Sequence, residues 1–348
     1  MTSRHPVISY DHFRGMCDHT GIFQHAIHDV PDRLHGYCID DCARALIVVC
    51  GMDPHERSRE DDRLCAVMCA FIQHGWNSDL GRFRNFMHFN RNWLEDFGSE
   101  DSHGRTLWAL GVLLQHDAGP LRHSWASTLF ADAMRVVAGF GSPRALAFTL
   151  LGLAGYCAAN PNDTDAAALR LGLVRRLQDA FDAVATEEWT WFEESLSYDN
   201  ARLPEAMIVT GMALGDDRFT GAGLRSLSWL MKMQSAPQGH FRPIGSAGFG
   251  LTRRAQPLPF DQQPVEVPAT VAACLAAYRT SGDRRWHVEA LRAHDWLFGR
   301  NDLGKSLVDP VRGTCCDGLH PDRVNQNCGA ESVVSALLSQ QDLTRFVD

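Results

Sequence analysis

Long apolar runs and a signal-peptide core are both missing from this sequence. Its longest weakly polar run, residues 145–159, is shorter than the about 20 residues that a helix needs to span a bilayer. The opening segment, MTSRHPVISYDHF, has no apolar core of the kind that directs secretion, so we expect a cytoplasmic protein with reduced thiols. We expect no membrane partner.

Positive charge is scarce as well. The 348 residues include 33 Lys and Arg against 42 Asp and Glu, a formal net charge of −9, and no basic patch stands out. A protein that binds duplex phosphates needs such a patch, so nucleic acid is not an expected partner. Nucleotide binding by the glycine-rich segment 239–266 is not expected either, because no strand is predicted before it and no Gly-Lys-Ser/Thr follows.

Cysteine is not scarce, but the spacings that bind metals are missing. None of the eleven cysteines belongs to a CxxC pair with zinc-ribbon spacing, and Cys315, Cys316 and Cys328 have no recognised ligand set nearby. Five others fall in or beside apolar helical runs, where cysteine serves as a small hydrophobic residue. These five are Cys38, Cys42, Cys50, Cys65 and Cys69. We therefore expect no bound metal and no cofactor.

The period-2 alternation that marks a half-buried strand is also missing, and helical spacing replaces it. Six segments combine a polar or acidic turn with an unusually apolar helix of small residues. They are IDDCARALIVV, SEDSHGRTLWALGVLL, GSPRALAFTLLGLAG, SYDNARLPEAMIVTG, FDQQPVEVPATVAACLAA and NQNCGAESVVSALL. Amphipathic segments lie between them, near residues 61–75, 122–139, 164–185, 218–234 and 283–299.

This alternation predicts a double ring of helices. Helices that are apolar nearly all round are buried, whereas amphipathic helices have one wet face. The motifs GRFR at 81–84 and GHFR at 239–242 each follow an amphipathic segment and indicate an internal repeat. We predict an all-α fold, a single (α/α)6 toroid of about twelve helices with long cleft-side loops, in one domain over residues 1–348. A superhelical array of hairpins is the rival, and the irregular spacing of the segments counts against it.

In such a ring the N-termini of the inner helices lie on one face, so their polar turns surround one cleft. Pro264, with Asp261 before it, is predicted just inside the fifth inner helix. Asp and Ser can cap helices there, and capping remains the alternative role for each acid. Capping does not explain the Trp, Tyr, His, Arg and Gln in the same turns, most densely in EEWTWFEESLSYDNARLPEA at 187–206. Aromatic faces beside carboxylates and amides are what a sugar site needs.

Four segments resemble an uncharacterised bacterial family within the six-hairpin glycosidase-like superfamily. They are GYCIDDCARAL, WTWFEESLSYDNARLPEA, FDQQPVE and DGLHPDRVNQNCGAES. The resemblance extends from HTGIFQHA at 19–26 to the last helix. It implies glycan chemistry by analogy of fold and a functional link to a glycosyltransferase, encoded beside or fused to family members. The family's DDNARAL has Asn where this chain has Cys42, and no assignment of catalytic residues comes with the resemblance.

The leading functional prediction is a glycoside hydrolase that acts on an oligo- or polysaccharide. Such enzymes pair an acid of raised pKa with a second carboxylate. We expect Asp40 or Asp41 to be one partner, and Glu194 or Asp261, from another hairpin, to be the other. The predicted substrate-binding residues are Arg44, His103, Trp189, Trp191, Tyr198, Asn200, Arg202, His240, Gln262, Gln263, Glu266, His320, Asn327 and Glu331.

A sugar epimerase or isomerase is the alternative. Histidine exchanges protons near neutral pH, and His103, His240 and His320 are predicted at or near the cleft. A third class is a non-catalytic glycan-binding partner of a glycosyltransferase, which needs the aromatic residues but no tuned carboxylate pair. Terpene cyclases share the double ring of helices, but the sequence has no DxDD and no complete DDxxD motif.

Overall fold

The computed structural model describes residues 5–116, 119–248 and 258–347. Within these ranges it contains twelve α-helices and nine strands, seven of which are only two residues long, so the chain is all-α as predicted. The helices are α1 (Asp11–Gly15), α2 (Ile39–Cys50), α3 (Arg59–Gly75), α4 (Glu100–His116), α5 (Pro120–Ala133), α6 (Pro143–Ala159), α7 (Thr164–Val184), α8 (Arg202–Leu214), α9 (Asp217–Met233), α10 (Glu266–Ser281), α11 (Arg285–Leu297) and α12 (Ala330–Val347). The strands are β1 (Phe23–Ile27), β2 (Val30–Cys38), β3 (Trp76–Asn77), β4 (Arg82–Phe83), β5 (Phe86–Met87), β6 (Val308–Asp309), β7 (Thr314–Cys315), β8 (Gly318–Leu319) and β9 (Val324–Asn325).

The described residues form two compact units. The N-terminal unit comprises Arg14–Ala26 and Val30–Arg175, and the C-terminal unit comprises Met1–Phe13, Ile27–Asp29 and Arg176–Asp348. One domain over residues 1–348 therefore stays a prediction. Part of the predicted glycine-rich loop, residues 249–257, lies outside the described residues.

In the N-terminal unit, α4 packs between α2 and α6, while α3 packs on α2 and α5 packs on α4. The helices α2, α4 and α6 are buried along most of their length, as their apolar sequences predict. Glycines bring α4 and α6 into backbone contact. A Cβ on Gly111 would lie 2.2 Å from the carbonyl oxygen of Gly152, and a Cβ on Gly155 would lie 2.1 Å from that of Gly111. No other residue fits these positions without separating the helices.

In the C-terminal unit, α10 packs between α8 and α12, with α9 on α8 and α11 on α10 and α12. The buried helices are again those whose sequences are apolar nearly all round, and the amphipathic segments lie outside them. Both units thus show the predicted alternation of inner and outer helices.

The two short repeat motifs have the same local structure, each within its own unit. Gly81 and Gly239 both adopt a positive φ, at 63° and 87°, which suits glycine in a tight turn. Phe83 pairs with Trp76 after α3, and Phe241 forms a bridge with Ser235 after α9. Both Phe side chains are fully buried, so each motif closes a small hairpin behind an outer helix.

Helix starts differ in detail from the predicted ones. Ser142 caps α6 by accepting a hydrogen bond from the N–H of Ala145. Pro264, predicted just inside the fifth inner helix, instead lies in the turn before α10, which begins at Glu266. Of the described helices, none combines the length and apolar character needed to cross a membrane.

Candidate active site

A short backbone pairing in the C-terminal unit brings together a solvent-accessible acid and base. Gln262 and Leu319 exchange two backbone hydrogen bonds of 2.9 Å each. Gly318 permits this approach, because a Cβ there would lie 2.5 Å from the carbonyl oxygen of Gln262. The flanking residues, Asp261 and His320, consequently lie opposite each other and can interact across the pairing.

Asp261 and His320 form a hydrogen-bonded pair. Oδ1 of Asp261 lies 2.6 Å from Nδ1 of His320, and the two side chains are 44% and 26% exposed. A carboxylate accepts hydrogen bonds, so in the neutral imidazole Nδ1 of His320 carries the proton and Nε2 keeps its lone pair. Among the described residues, no group hydrogen-bonds to this Nε2. The pair is therefore arranged as a base with an orienting carboxylate.

Gln262 connects this pair to a second histidine. Its Nε2 donates to Oδ2 of Asp302 at 2.6 Å, and its Oε1 accepts from Nε1 of Trp296 at 2.8 Å. His240 lies with Nε2 3.1 Å from Oδ1 of the same Asp302. Gln262 is fully buried and its amide is engaged within the protein, so it positions the cluster. A role in binding substrate stays a prediction.

Asp302 also binds Arg242, through Nε at 2.9 Å and through the terminal guanidinium nitrogen. Burial pushes the pKa of Asp302 upward, but hydrogen bonds from Arg242, Gln262 and His240 outweigh it and leave the pKa below its usual value. This carboxylate stays ionised and can hold His240 in one orientation. Two histidines, each paired with an aspartate, are thus organised by the dipeptide Asp261–Gln262.

Glu266, at the start of α10, is buried beneath the start of α8. Its carboxyl accepts hydrogen bonds from the N–H groups of Asp199 and Asn200 and from Gln234. These bonds fix the turn in which Asp199 adopts a φ of 51°, unusual for a residue other than glycine. Burial, together with the nearby charge of Asp199, raises the pKa of Glu266 to about 7. Asn200 is equally buried and donates to the carbonyl of Ser197 at 2.7 Å.

Arg202 lies in a buried ion-pair network in the first turns of α8. It donates to Glu205 at 2.6 Å and lies 3.5 Å from Asp199. Burial raises the pKa of Glu205 to about 7, although Arg202 acts in the opposite direction. This network anchors the start of α8, and a substrate contact for Arg202 stays a prediction.

The two predicted sugar-stacking tryptophans are buried among other rings. The Trp189 ring meets Trp229 edge-on at 4.8 Å, and the Trp191 ring stacks on Trp229 at 5.7 Å. Nε1 of Trp189 donates to the carbonyl of Glu193 at 2.7 Å. Glu194 is exposed beside this cluster, and Tyr198 is half-buried. The rings stabilise the loop, and their contact with a sugar stays a prediction.

The paired aspartates of the N-terminal unit occupy the first turn of α2. Asp40 binds two arginines: Nε of Arg105 donates to Oδ1 at 2.7 Å, and Arg44 donates to Oδ2. Burial raises the pKa of Asp40, but these guanidinium groups outweigh it and hold the pKa below its usual value. Asp41 lies 3.8 Å from Arg44 and accepts from the thiol of Cys38 at 3.1 Å. Cys38 also provides the N-cap of α2, so neither aspartate is the cap residue.

His103, the third candidate histidine, is a core residue of α4. Its Nε2 lies 2.9 Å from the carbonyl oxygen of Ala133, and its Nδ1 accepts from the N–H of Phe83 at 3.4 Å. Burial lowers its pKa to about 3. It therefore stays neutral and shielded from solvent, which does not suit proton exchange with a substrate.

The remaining predicted residues lie around the loops of the C-terminal unit. Gln263 is half-buried before α10, and Glu331 is half-buried in the first turn of α12. Oδ1 of Asn327 accepts a hydrogen bond from the N–H of His28 at 3.0 Å, so its side chain links the loop before α12 to the turn after β1. Within the described ranges, no group of three or more His, Cys, Asp or Glu side chains is arranged to bind a metal ion.

Sequence reasoning missed Asp302, Arg242 and Arg105. Arg242 is part of the GHFR motif and Arg105 follows the second polar turn, so both carried a signal. Asp302 lies in a turn after α11 with no distinguishing pattern.

No family model and no curated protein matches the sequence. Solved structures match along most of the chain. A D-mannose isomerase matches with a TM-score of 0.75 and 10% identity, over 97% of this chain and 95% of that one. A cellobiose 2-epimerase from Bacillus thermoamylovorans B4167 matches with a TM-score of 0.72 and 10% identity, over 98% and 96%. An α-1,6-mannanase of Salegentibacter sp. HEL1_6, solved as an inactive variant, matches with a TM-score of 0.65 and 9% identity, over 97% and 96%.

The fold is an (α/α)6 toroid. The predicted fold class, an all-α toroid, is confirmed. At identities near 10% these likenesses show the fold alone.

Proposed function

We propose that the protein is a carbohydrate-active enzyme, an aldose isomerase or epimerase, with His320 as its acid and base. The observation that carries the proposal is the hydrogen bond between Asp261 and Nδ1 of a half-buried His320, which leaves Nε2 for the substrate. The likeness in fold to a D-mannose isomerase and a cellobiose 2-epimerase supports the same choice.

The reaction follows from that geometry. In an open-chain aldose the C1 carbonyl acidifies the C2–H bond. Nε2 of His320 takes the C2 proton, and the electron pair of that bond forms a C1–C2 double bond while the carbonyl oxygen becomes an enediolate. The imidazolium, stabilised by the Asp261 carboxylate, then returns a proton. Return to C1 gives a ketose when the proton of the C2 hydroxyl moves to the C1 oxygen, whereas return to the opposite face of C2 re-forms the C1 carbonyl and gives the epimer.

Epimerisation needs an acid on the second face, and His240 is the candidate. It is held by Asp302, and Gln262 joins its cluster to the first pair. His320 alone suffices for the one-base transfer from C2 to C1. A ketose product therefore indicates that His320 acts alone, whereas an epimer indicates that a second group takes part.

The test is incubation of the enzyme with mannose, glucose and cellobiose in deuterated water. We expect solvent deuterium at C2 of the epimer or at C1 of the ketose, detected by NMR. His320→Asn should abolish the exchange, and His55→Asn, at an exposed site, should not. Full exchange by His320→Asn would refute the assignment.

A glycoside hydrolase is the second candidate. Asp40 and Asp41 are consecutive in the first turn of α2, and the inactive α-1,6-mannanase variant carries alanine at two consecutive aspartates. However, both oxygens of Asp40 are bound by arginines, and the two glutamates of raised pKa, Glu205 and Glu266, are buried in structural contacts. Hydrolysis of α-1,6-mannotetraose, lost in Asp41→Asn and without isotope exchange, would favour this candidate.

We also propose that the protein belongs to the uncharacterised bacterial family, is functionally linked to a glycosyltransferase and is located in the cytoplasm. The sequence resemblance and the composition support these three properties. A non-catalytic glycan-binding role would be indicated if sugars bind but show neither exchange nor hydrolysis.

A further inference from the structure

An open cavity lies in the N-terminal unit, and its described lining residues include none of those assigned to proton transfer. It has a volume of about 520 Å³ and is lined by Arg33 and Leu34 of β2 and by His88, Phe89 and Asn90, which follow β5. Leu34 is 80% exposed and Phe89 is 46% exposed. Two large apolar side chains therefore face solvent side by side with polar groups.

Backbone contacts hold β2 and the turn after β5, which together line the cavity. Gly36 presses β2 against β5, since a Cβ there would lie 2.2 Å from the carbonyl oxygen of Met87. The N–H of His88 donates to the carbonyl of Asn92 at 3.0 Å and closes the turn that carries Phe89. The Phe89 ring is supported from within the unit by Phe23 and Tyr37, at centroid distances of 6.0 and 6.5 Å. A supported, half-exposed ring is suited to contact the apolar face of a ligand.

The cavity also carries positive charge in an acidic protein. The guanidinium carbon of Arg33 lies 5.7 Å from the centre of the Phe89 ring. Among the described residues, neither Arg33 nor Arg91, in the same turn as Phe89, has an ion-pair partner. The nearby Asp32 lies 3.6 Å from His35. Unpaired guanidinium groups beside an aromatic ring favour an anionic ligand, although the chain as a whole has a net charge of −9.

We propose that this cavity is a binding site for an acidic sugar residue, a hexuronate within an oligosaccharide. The apolar face of the pyranose ring packs on Phe89 and Leu34, and the carboxylate pairs with Arg33. The choice of a carbohydrate ligand rests on the proposed function, but binding here involves neither His320 nor Asp261.

The first experiment is calorimetric titration with two disaccharides, cellobiouronic acid and cellobiose, which differ only in a carboxylate. The His320→Asn background is used so that turnover does not interfere. We expect the acidic sugar to bind more tightly than cellobiose. Phe89→Ala should weaken its binding about tenfold, as for an aromatic anchor in a pocket. Phe97→Ala is the matched control, because Phe97 is 53% exposed with Arg82 over its ring at 5.2 Å but does not line the cavity.

The second experiment tests the charge. Arg33→Gln should remove the preference for cellobiouronic acid, and the wild-type preference should shrink between 50 and 500 mM salt, roughly as screening predicts. Arg59→Gln removes the same charge at an exposed position of α3 and should leave binding unchanged. Equal binding of the two sugars, or equal affinity in Phe89→Ala and Phe97→Ala, would overturn the proposal. Sugar binding and isotope exchange are measured separately. Failure of the binding-site proposal can therefore be distinguished from failure of the proposed function.

Discussion

Asp261 and His320 are 59 residues apart in sequence, yet their side chains meet at 2.6 Å. The backbone pairing of Gln262 with Leu319 brings them together, and Gly318 makes that pairing sterically feasible. A carboxylate in this position fixes the tautomer of the imidazole and stabilises its protonated form. Asp261 is therefore a positioning residue for His320.

Asp261→Asn should lower kcat for isotope exchange by about 10²-fold while changing KM little, because the amide no longer stabilises the imidazolium. Steady-state exchange rates at a fixed pH measure kcat and KM separately. Asp322→Asn, which removes an exposed carboxylate from the same loop, is the control and should behave like the wild type. A purely structural role for Asp261 would lower stability without this selective loss of kcat.

Gly318→Ala should disrupt the same pair from the backbone side. The added Cβ would lie 2.5 Å from the carbonyl oxygen of Gln262, so the bridge must open. We expect a loss of about 2 kcal/mol in the free energy of unfolding and a larger relative loss of exchange activity. Gly172→Ala, within α7 and with no atom near the new Cβ, should instead be neutral or stabilise by about 0.5–1 kcal/mol. Urea denaturation and exchange rates test both variants, and similar values for the two would contradict the steric argument.

The inner and outer helices were predictable because the apolar pattern of each segment indicates whether the helix is buried on all sides or on one face. The starts of α2, α4, α6, α8, α10 and α12 all fall near the predicted polar turns. Partnerships between side chains were not predictable in the same way. Asp261 and His320 were named separately, but their contact depends on a pairing across 59 residues. Trp189 and Trp191 were predicted to bind a sugar, but their rings pack on Trp229. A segment without periodicity does not indicate which way its aromatic side chains point.

Asp40→Asn should destabilise the N-terminal unit. The side chains of Arg105 and Arg44 are only 2% and 6% exposed and would lose the carboxylate that they share. Breaking a buried ion pair on one side costs about 3 kcal/mol. Asp132→Asn breaks an exposed pair with Arg135 and should cost less than about 1 kcal/mol.

The lowered pKa of Asp40 adds a pH signature: its stabilisation is present at neutral pH and disappears as the pH falls below about 4 and through the folded-state pKa. Urea titrations at pH 7 and pH 3 measure the difference, and an unchanged midpoint at pH 7 would contradict the shared-carboxylate account.

Glu266 should give the opposite pH dependence. Its pKa is raised to about 7 in the folded protein by burial and by the charge of Asp199, against 4.5 as its ordinary value. Between these values the folded state keeps a proton that the unfolded chain has released, so the free energy of unfolding falls as the pH rises through this window. Glu266→Gln removes this titration. We therefore expect the stability of the wild type relative to Glu266→Gln to decrease by on the order of 2 kcal/mol between pH 4.5 and pH 8. Glu187→Gln changes an exposed glutamate of the same unit and should leave the wild-type pH profile intact. Denaturation profiles of the three proteins that run parallel across this range would show that the buried carboxyl of Glu266 does not titrate there.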